Sequence, residues 1–125
     1  MIPGSNQDHP GFLKSFSYAV EGFVTAVKTE RNIKVMLVLG ALTLVAGFVV
    51  GLDPHEWAII VICCGLVIHG ELCNTAMEAI VDLACQEIHP LAKRAKDIAA
   101  ASVYILSITA AIVGVLVFGH ALGLL

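Results

Sequence analysis

Four polar side chains recur at helical spacing inside one long apolar segment of the chain. The segment is GELCNTAMEAIVDL, residues 70–83, and the four are Glu71, Asn74, Glu78 and Asp82. At about 100° per residue, these positions share one stripe of a helix that is roughly 80° wide. A carboxylate at the centre of a bilayer costs about 2.5–3.5 kcal/mol. Acids on such a stripe therefore indicate a site that faces a protein interior, a metal or a substrate.

The charged residues around this stripe are of the kinds that phosphoryl transfer uses. Carboxylates at a water boundary suit a hard divalent cation, and three lie at this level: Glu30, Glu78 and Asp82. Three basic side chains nearby could hold a nucleotide phosphate: Lys93, Arg94 and Lys96. Glu71 is nearer to the apolar zone and suits a general base beside a lipid hydroxyl. The chain has no GxxxxGK(S/T) motif, which excludes a P-loop kinase.

Each of these groups also has a simpler explanation. Glu71 and Asn74 could serve only to hydrogen-bond neighbouring helices, and Glu78 and Asp82 could be solvated acids just past the membrane. The basic residues over 93–96 could merely set the topology of the chain. The residues alone leave these alternatives open.

The composition indicates an integral membrane protein. Of the 125 residues, 58% are hydrophobic and only 14% are charged, and the mean hydropathy is +0.91. A single domain of this size cannot bury so much apolar surface in its own core, so lipid is the expected solvent. No signal peptide is expected, because the N-terminal region lacks a basic segment followed by a short apolar core.

The predicted fold is all-α. Residues 1–10 are polar and are predicted to form a frayed tail, whereas residues 11–29 form an amphipathic helix suited to the membrane interface. Packing of that helix on the protein's own core is the alternative. Three apolar segments follow that are long enough to span a bilayer: 33–52, 57–83 and 98–122. They are joined by a polar turn and a longer polar connection, 53–56 and 84–97.

The basic residues predict an orientation. All seven lie around the start of the first span or within 84–97, and the 53–56 turn has none. The positive-inside rule therefore places the N-terminus and the 84–97 connection in the cytoplasm and the C-terminus outside. Glu71 then lies about 21 Å from the outer end of its span. Three helices can hardly shield its stripe on every side, so an oligomer is expected.

Three segments resemble a known family. ELCNTAMEAIVDL, residues 71–83, resembles the motif E-(L/I)-x-N-(S/T)-A-(I/M)-E-x-x-V-D of the prokaryotic diacylglycerol kinase and undecaprenol kinase family. HPLAKRAKDIAAASV, residues 89–103, resembles the second block of that family. The KTERNIK segment, residues 28–34, and Glu56 with Trp57 look more like the Gram-positive undecaprenol kinase branch than the Gram-negative diacylglycerol kinases. The resemblance covers nearly the whole chain after its polar tail.

The resemblance implies a homotrimer of three-span subunits, each with an N-terminal surface helix, and composite sites at subunit boundaries. It implies that Glu71 takes the proton of the lipid hydroxyl, with Asn74 at the substrate-binding site near the phosphates. It also implies that Glu30 and Glu78 are ligands of Mg²⁺. The residues that match ATP-binding positions are Tyr18, Glu30, Glu78, Asp82, Glu87, His89, Lys96 and Asp97.

The predicted function is that of an ATP-dependent lipid kinase in the plasma membrane of a bacterium. Undecaprenol is the expected acceptor, and diacylglycerol is the alternative within the same class. Two alternatives from another class are a proton or cation pathway, since acids inside a membrane also mark transporters, and a small scaffold whose acids hold an oligomer together. The expected partners are a lipid alcohol, ATP with Mg²⁺, the membrane and further copies of the chain. No nucleic acid is expected.

Overall fold

The computed structural model of the chain describes residues 11–125, and the predicted tail over residues 1–10 lies outside them. Within the described range the chain folds into four helices: α1 (Phe12–Thr29), α2 (Arg31–Val50), α3 (Pro54–Ala84) and α4 (Pro90–Ala121). The last three are long and apolar enough to cross a membrane. The prediction of an all-α protein is confirmed for this range, and so is the prediction of three helices that could span a membrane.

Most large apolar side chains lie on the outside of the molecule. Phe48 and Val49 of α2 are exposed, as is Ile105 of α4. The buried core is a small cluster where α3 meets the ends of α2 and α4, formed by Leu52, Ile60 and Val117. Apolar surface is stable only when it is removed from water. Lipid or further protein must therefore cover the outer surface of these helices.

A single extended residue, Glu30, separates α1 from α2. Its backbone (φ −100°, ψ 124°) breaks the helix, while its N–H still donates to the carbonyl oxygen of Ala26 at 2.8 Å. Ala26 and Ile33, on either side of the break, are buried. Burial of these two residues fixes the position of the break relative to the other helices. Ala26 is the only buried residue of α1, and the location of this helix in the membrane interface stays a prediction.

A tight turn joins α2 to α3 at the opposite end of the bundle. Gly51 ends α2 with a left-handed φ of 80°, which glycine adopts without strain. The Oδ1 atom of Asp53 accepts the backbone N–H groups of His55 and Glu56 at 2.7 and 3.0 Å. The Glu56 carboxylate in turn accepts the backbone N–H of Asp53 at 2.9 Å. The hydrogen bond from the Glu56 N–H holds the pKa of Asp53 below its usual value, and the reciprocal bonds start α3 at Pro54.

α3 and α4 form an antiparallel hairpin with the most extensive helix interface in the described part of the chain. A small residue allows the two helices to approach closely. A Cβ atom on Gly70 would lie 2.5 Å from Cδ1 of Leu106, so a larger residue would force the Leu106 side chain to move. This close approach brings the charged end of α4 against the polar stripe of α3.

The connection between α3 and α4 is shorter than the predicted one over 84–97. It covers residues 85–89, because α4 begins at Pro90. Proline suits the first position of a helix, where its fixed φ is already helical and its missing N–H is not needed. His89 caps the helix through Nδ1, which accepts a backbone N–H at 3.2 Å. The basic residues over 93–96 therefore lie on the first turns of a helix instead of in a loop.

Candidate functional site

The polar stripe of α3 runs from the interior of the bundle to its surface. Glu71 is 2% exposed and Asn74 is 7% exposed. Glu78, about one turn further along the helix, is half-buried, and Asp82 is exposed. Burial therefore decreases toward the C-terminal end of α3, where α1 meets α2 and α4 begins.

The carboxylate of Glu71 faces the start of α2. The side chain of Asn32, in the first turn of that helix, and the carboxylates of Glu30 and Glu78 lie close enough to interact with it electrostatically. Two helices and the α1–α2 break thus contribute to one cluster. The three carboxylates repel one another when they are ionised.

Asn74 links the buried and the exposed parts of the stripe. Its Nδ2 donates to Oε1 of Glu78 at 3.0 Å. Its Oδ1 is buried and has no hydrogen-bond partner among residues 11–125. A buried acceptor without a donor costs about 1–3 kcal/mol. Such an oxygen can accept a hydrogen bond from a substrate hydroxyl or from a bound water.

Two lysines near the start of α4 form ion pairs, and one of them reaches the surface end of the stripe. Nζ of Lys96 is 2.5 Å from Oδ1 of Asp82 and joins α4 to α3, and Lys96 also interacts electrostatically with Glu78. Lys93 forms an ion pair with Asp97 within α4. Ammonium groups bind phosphate as compact point charges. This end of the hairpin can therefore accept the phosphates of a nucleotide.

Three of the predicted nucleotide-binding residues lie away from these contacts. Tyr18 is half-buried on α1, and Glu87 and His89 are exposed in the connection over 85–89. Within the described range, no hydrogen bond or ion pair joins their side chains to the acids of α3. His89 caps α4 instead. Their contact with a nucleotide stays a prediction.

A cavity of about 580 Å³ extends between α2, α3 and α4. Asn32, Glu71 and Asn74 line its polar end, and the rest of its wall is mainly apolar and reaches Phe118 near the end of α4. A few polar groups in an apolar cavity fix the orientation of a ligand. This cavity suits an amphiphile whose hydroxyl lies beside Glu71 and whose chain runs along the helices.

Comparison with known proteins identifies the family of the chain. A family model described as prokaryotic diacylglycerol kinase matches residues 17–118. The chain belongs to the prokaryotic diacylglycerol kinase family. The predicted resemblance is confirmed, and so is the prediction that the protein is a lipid kinase. The two non-enzymatic alternatives, an ion pathway and a scaffold, are thereby set aside.

The relatives of this chain are named for two different lipid acceptors. The undecaprenol kinase of Bacillus subtilis is 41% identical over 107 residues, which are 86% of this chain and 87% of that protein. The diacylglycerol kinase of Synechocystis sp. is 40% identical over 106 residues, 84% of this chain and 61% of that protein. The diacylglycerol kinase of Pseudomonas aeruginosa is 31% identical over 93 residues, 74% of this chain and 76% of that protein.

A kinase family implies ATP and a divalent metal ion, and Glu30 and Glu78 fit such an ion. Among residues 11–125, no group of three or more His, Cys, Asp or Glu side chains is arranged to hold a metal by itself. Mg²⁺ is usually bound by one or two carboxylates together with substrate phosphates and waters. A pair of carboxylates near two lysines therefore fits an ion that binds together with a nucleotide.

Sequence reasoning did not assign a role to two polar residues that the structure places beside other polar groups. Asn32 lies in the KTERNIK segment, two residues after Glu30. Its closeness in sequence to a predicted metal ligand could have indicated a position near the site. Glu56 was predicted as part of a polar turn and contributed to the family resemblance, but it was given no contact. Its Oε1 lies 2.9 Å from Nδ1 of His120, at the end of the bundle opposite to Glu71.

Proposed function

We propose that the chain is an ATP-dependent kinase that transfers the γ-phosphate of MgATP to the hydroxyl of undecaprenol. The observation that carries the proposal is the buried carboxylate of Glu71 at the polar end of a mainly apolar cavity. The 41% identity to an undecaprenol kinase over most of the chain supports the choice of acceptor. A cavity between membrane-spanning helices can hold the lipid while its hydroxyl meets the carboxylate.

Glu71 acts as the general base in this proposal. One of its carboxylate oxygens accepts the proton of the lipid hydroxyl, and the hydroxyl oxygen forms a bond to the γ-phosphorus. The bond from that phosphorus to the β–γ bridging oxygen breaks, and ADP leaves. Because Glu71 is buried, it meets a lipid hydroxyl more readily than bulk water, which limits futile hydrolysis of ATP.

Charged residues toward the surface hold the nucleotide. Glu30 and Glu78 would bind Mg²⁺, which neutralises charge on the phosphates when it is bound. Asn74 keeps Glu78 in place through its Nδ2–H group. Lys96 neutralises phosphate charge beside its partner Asp82. The further residues assigned to the nucleotide are Tyr18, Glu87, His89 and Asp97.

The proposed working form is a homotrimer in the plasma membrane, with its sites at subunit boundaries. The exposed apolar side chains of α2 and α4 supply surface that neighbouring copies could cover. The N-terminus and the connection over 85–89 are proposed to be cytoplasmic, and the C-terminus external, because the basic residues cluster at one end of the bundle. The mass of the protein in detergent tests the trimer.

The acceptor is tested by offering two lipids to the purified protein in mixed micelles. We expect a higher kcat/KM for undecaprenol than for dioleoylglycerol. Diacylglycerol is the second candidate, because the relatives from Synechocystis and Pseudomonas aeruginosa are diacylglycerol kinases by name. A clear preference for dioleoylglycerol would replace the first candidate by the second.

A further inference from the structure

Glycines on two helices border the apolar part of the cavity. Gly40 of α2 and Gly114 of α4 both line it, and a Cβ atom built on either glycine would meet nothing within 4 Å. Gly47 and Gly70 differ, because a Cβ atom there would lie 2.8 and 2.5 Å from side chains of the neighbouring helix. The first two glycines therefore leave open space and are not needed for packing within the chain.

Gly40 lies about two helical turns from the polar end of the cavity. Gly47 lies against Trp57 near the turn between α2 and α3. Because the two helices are antiparallel, a step back along α2 matches an equal step forward along α3. Gly40 is seven residues before Gly47, and this step leads from Trp57 to Cys64. Cys64 also lines the cavity.

Gly114 lies at the same level on the other side of the cavity. Gly70 of α3 lies against Leu106 of α4, and these helices are antiparallel as well. Gly114 is eight residues after Leu106, and the matching step along α3 ends next to Cys63, which lines the cavity. Cys63 precedes Glu71 by eight residues, about 12 Å along the helix. The two glycines thus face each other across the cavity at this depth.

The polar end of the cavity contains an oxygen that lacks a partner. Asn74 lines the cavity and is 7% exposed, and its Oδ1 has no hydrogen-bond partner among residues 11–125. A buried acceptor of this kind indicates a ligand that supplies a donor, such as a hydroxyl. The wall beyond is mainly apolar, and α2 and α4 pack on α3 far more than on each other. A molecule with one hydroxyl and a long hydrocarbon chain fits this distribution of polarity.

The choice of glycine at these two positions widens the cavity. Gly40 and Gly114 both lie in helix interiors, where glycine is less favourable than alanine. Neither glycine brings two helices of the chain together, so packing within the chain does not explain them. A hydrocarbon chain with methyl branches has a larger cross-section than a linear one and needs this width.

We propose that Gly40 and Gly114 form a gap that admits the hydrocarbon chain of the acceptor lipid and thereby determines which lipids are phosphorylated. The inference rests on the proposed function, because it takes the lipid hydroxyl to lie beside Glu71. The chain then runs from Glu71 past Cys63 and Cys64 and leaves between α2 and α4. A larger side chain at either glycine blocks this path and leaves the polar end unchanged.

A size series at the two glycines of the full chain tests the gap. Gly40→Ala, Gly40→Leu, Gly114→Ala and Gly114→Leu are assayed with undecaprenol in mixed micelles. We expect kcat/KM for undecaprenol to fall about ten-fold or more in the Leu variants, because even one methylene changes the fit of an apolar pocket. The Ala variants should lose less. The KM for MgATP should not change, since the nucleotide is proposed to bind beyond the polar end.

Gly65→Leu is the matched control. Gly65 lies on α3 near the level of the gap, but it is exposed and lies outside the cavity. A Cβ atom there also meets nothing within 4 Å. The same substitution at the same depth should therefore leave kcat/KM unchanged. Each variant is also examined by gel filtration, since a narrowed gap leaves the assembled protein intact.

The cysteines beside the gap report the path of the lipid without catalysis. N-ethylmaleimide alkylates accessible thiols, and peptide mass mapping locates the modified residues. Undecaprenol should slow the modification of Cys63 and Cys64 in the parent protein. Prenol, the alcohol of a single isoprene unit, should not, because its chain ends before the gap. Cys73 is exposed and lies outside the cavity, so it should react equally with both alcohols.

Four results would overturn the gap. They are parental kcat/KM in both Leu variants, an equal loss in Gly65→Leu, a loss that only follows a loss of assembled protein, and no protection of Cys63 and Cys64 by undecaprenol. Failure of the proposed function gives a different pattern, because the parent would then transfer no phosphate to undecaprenol. If only the present inference fails, the parent and both Leu variants transfer phosphate equally well.

Discussion

Lys96 of α4 forms an ion pair with Asp82 of α3, with 2.5 Å between Nζ and Oδ1. Both side chains are partly exposed, and ion pairs of this kind contribute little to stability. The pair is therefore a weak link between the two helices of the hairpin. Its position beside Glu78 places a cation where the phosphates of the nucleotide are proposed to bind.

Removal of this cation should weaken nucleotide binding more than it weakens the fold. In Lys96→Met we expect the KM for MgATP to rise about ten-fold or more, because a charge-assisted contact to phosphate is lost. The thermal unfolding temperature in detergent should stay close to that of the parent. Lys28→Met is the control, since Lys28 is exposed on α1 and is assigned no nucleotide contact. An equal rise in both variants would show that only the total charge matters.

Loss of the buried carboxylate should stop chemistry and spare nucleotide binding. In Glu71→Gln we expect kcat to fall about 10²–10⁴-fold, the usual contribution of a general base. Equilibrium binding of a fluorescent ATP analogue should be unchanged, because Glu30 and Glu78 remain. Glu21→Gln, at an exposed position of α1, is the control. Parental turnover in Glu71→Gln would remove the base from the proposed mechanism.

Loss of the proposed metal ligand on α3 should weaken the binding of magnesium. In Glu78→Gln the amide oxygen can still accept the Nδ2–H of Asn74, so the local packing is preserved while a charge is lost. We expect the Mg²⁺ concentration for half-maximal activity to rise about ten-fold or more. Titration of activity with Mg²⁺ at saturating ATP measures this shift. An unchanged magnesium requirement would contradict the assignment of Glu78.

The contact between Glu56 and His120 should stabilise the fold and leave catalysis unaffected. Oε1 of Glu56 lies 2.9 Å from Nδ1 of His120, and the second carboxylate oxygen accepts the N–H of Asp53. The contact ties the start of α3 to the end of α4. Glu56→Ala and His120→Ala should each lower the unfolding temperature. We expect the double variant to lose less than the sum of the two single losses.

Thermal unfolding of the parent, the two single variants and the double variant in detergent measures this coupling. Turnover below the unfolding temperature should be the same in all four proteins, because the pair lies at the end of the bundle away from Glu71. Strictly additive losses would show that the two side chains do not interact in solution.

The features that depend on local spacing could be predicted from the sequence. Glu71, Asn74 and Glu78 share a face because a helix repeats every three to four residues, and apolar length alone indicates the three spans. The family was also recognisable, because its longest motif, residues 71–83, is one continuous segment within α3. These elements needed no knowledge of how the helices pack.

The features that depend on packing between helices could not be predicted. The position of Asn32 beside Glu71 requires the break at Glu30 and the docking of α2 on α3. Glu56 and His120 lie 64 residues apart, and no spacing rule connects them. The start of α4 was placed too late, because Pro90 was interpreted as part of a connection although proline also favours the first turn of a helix.

The central claim is that Glu71 is the general base for transfer of the γ-phosphate of MgATP to a lipid hydroxyl. The most direct measurement is the transfer of radiolabelled γ-phosphate to undecaprenol by the purified protein, with Mg²⁺ and with an excess of chelator. We predict labelled lipid phosphate from the parent protein with Mg²⁺, none with the chelator, and only a trace from Glu71→Gln. Labelling that is independent of Mg²⁺, or equal in the parent and in Glu71→Gln, would contradict this account.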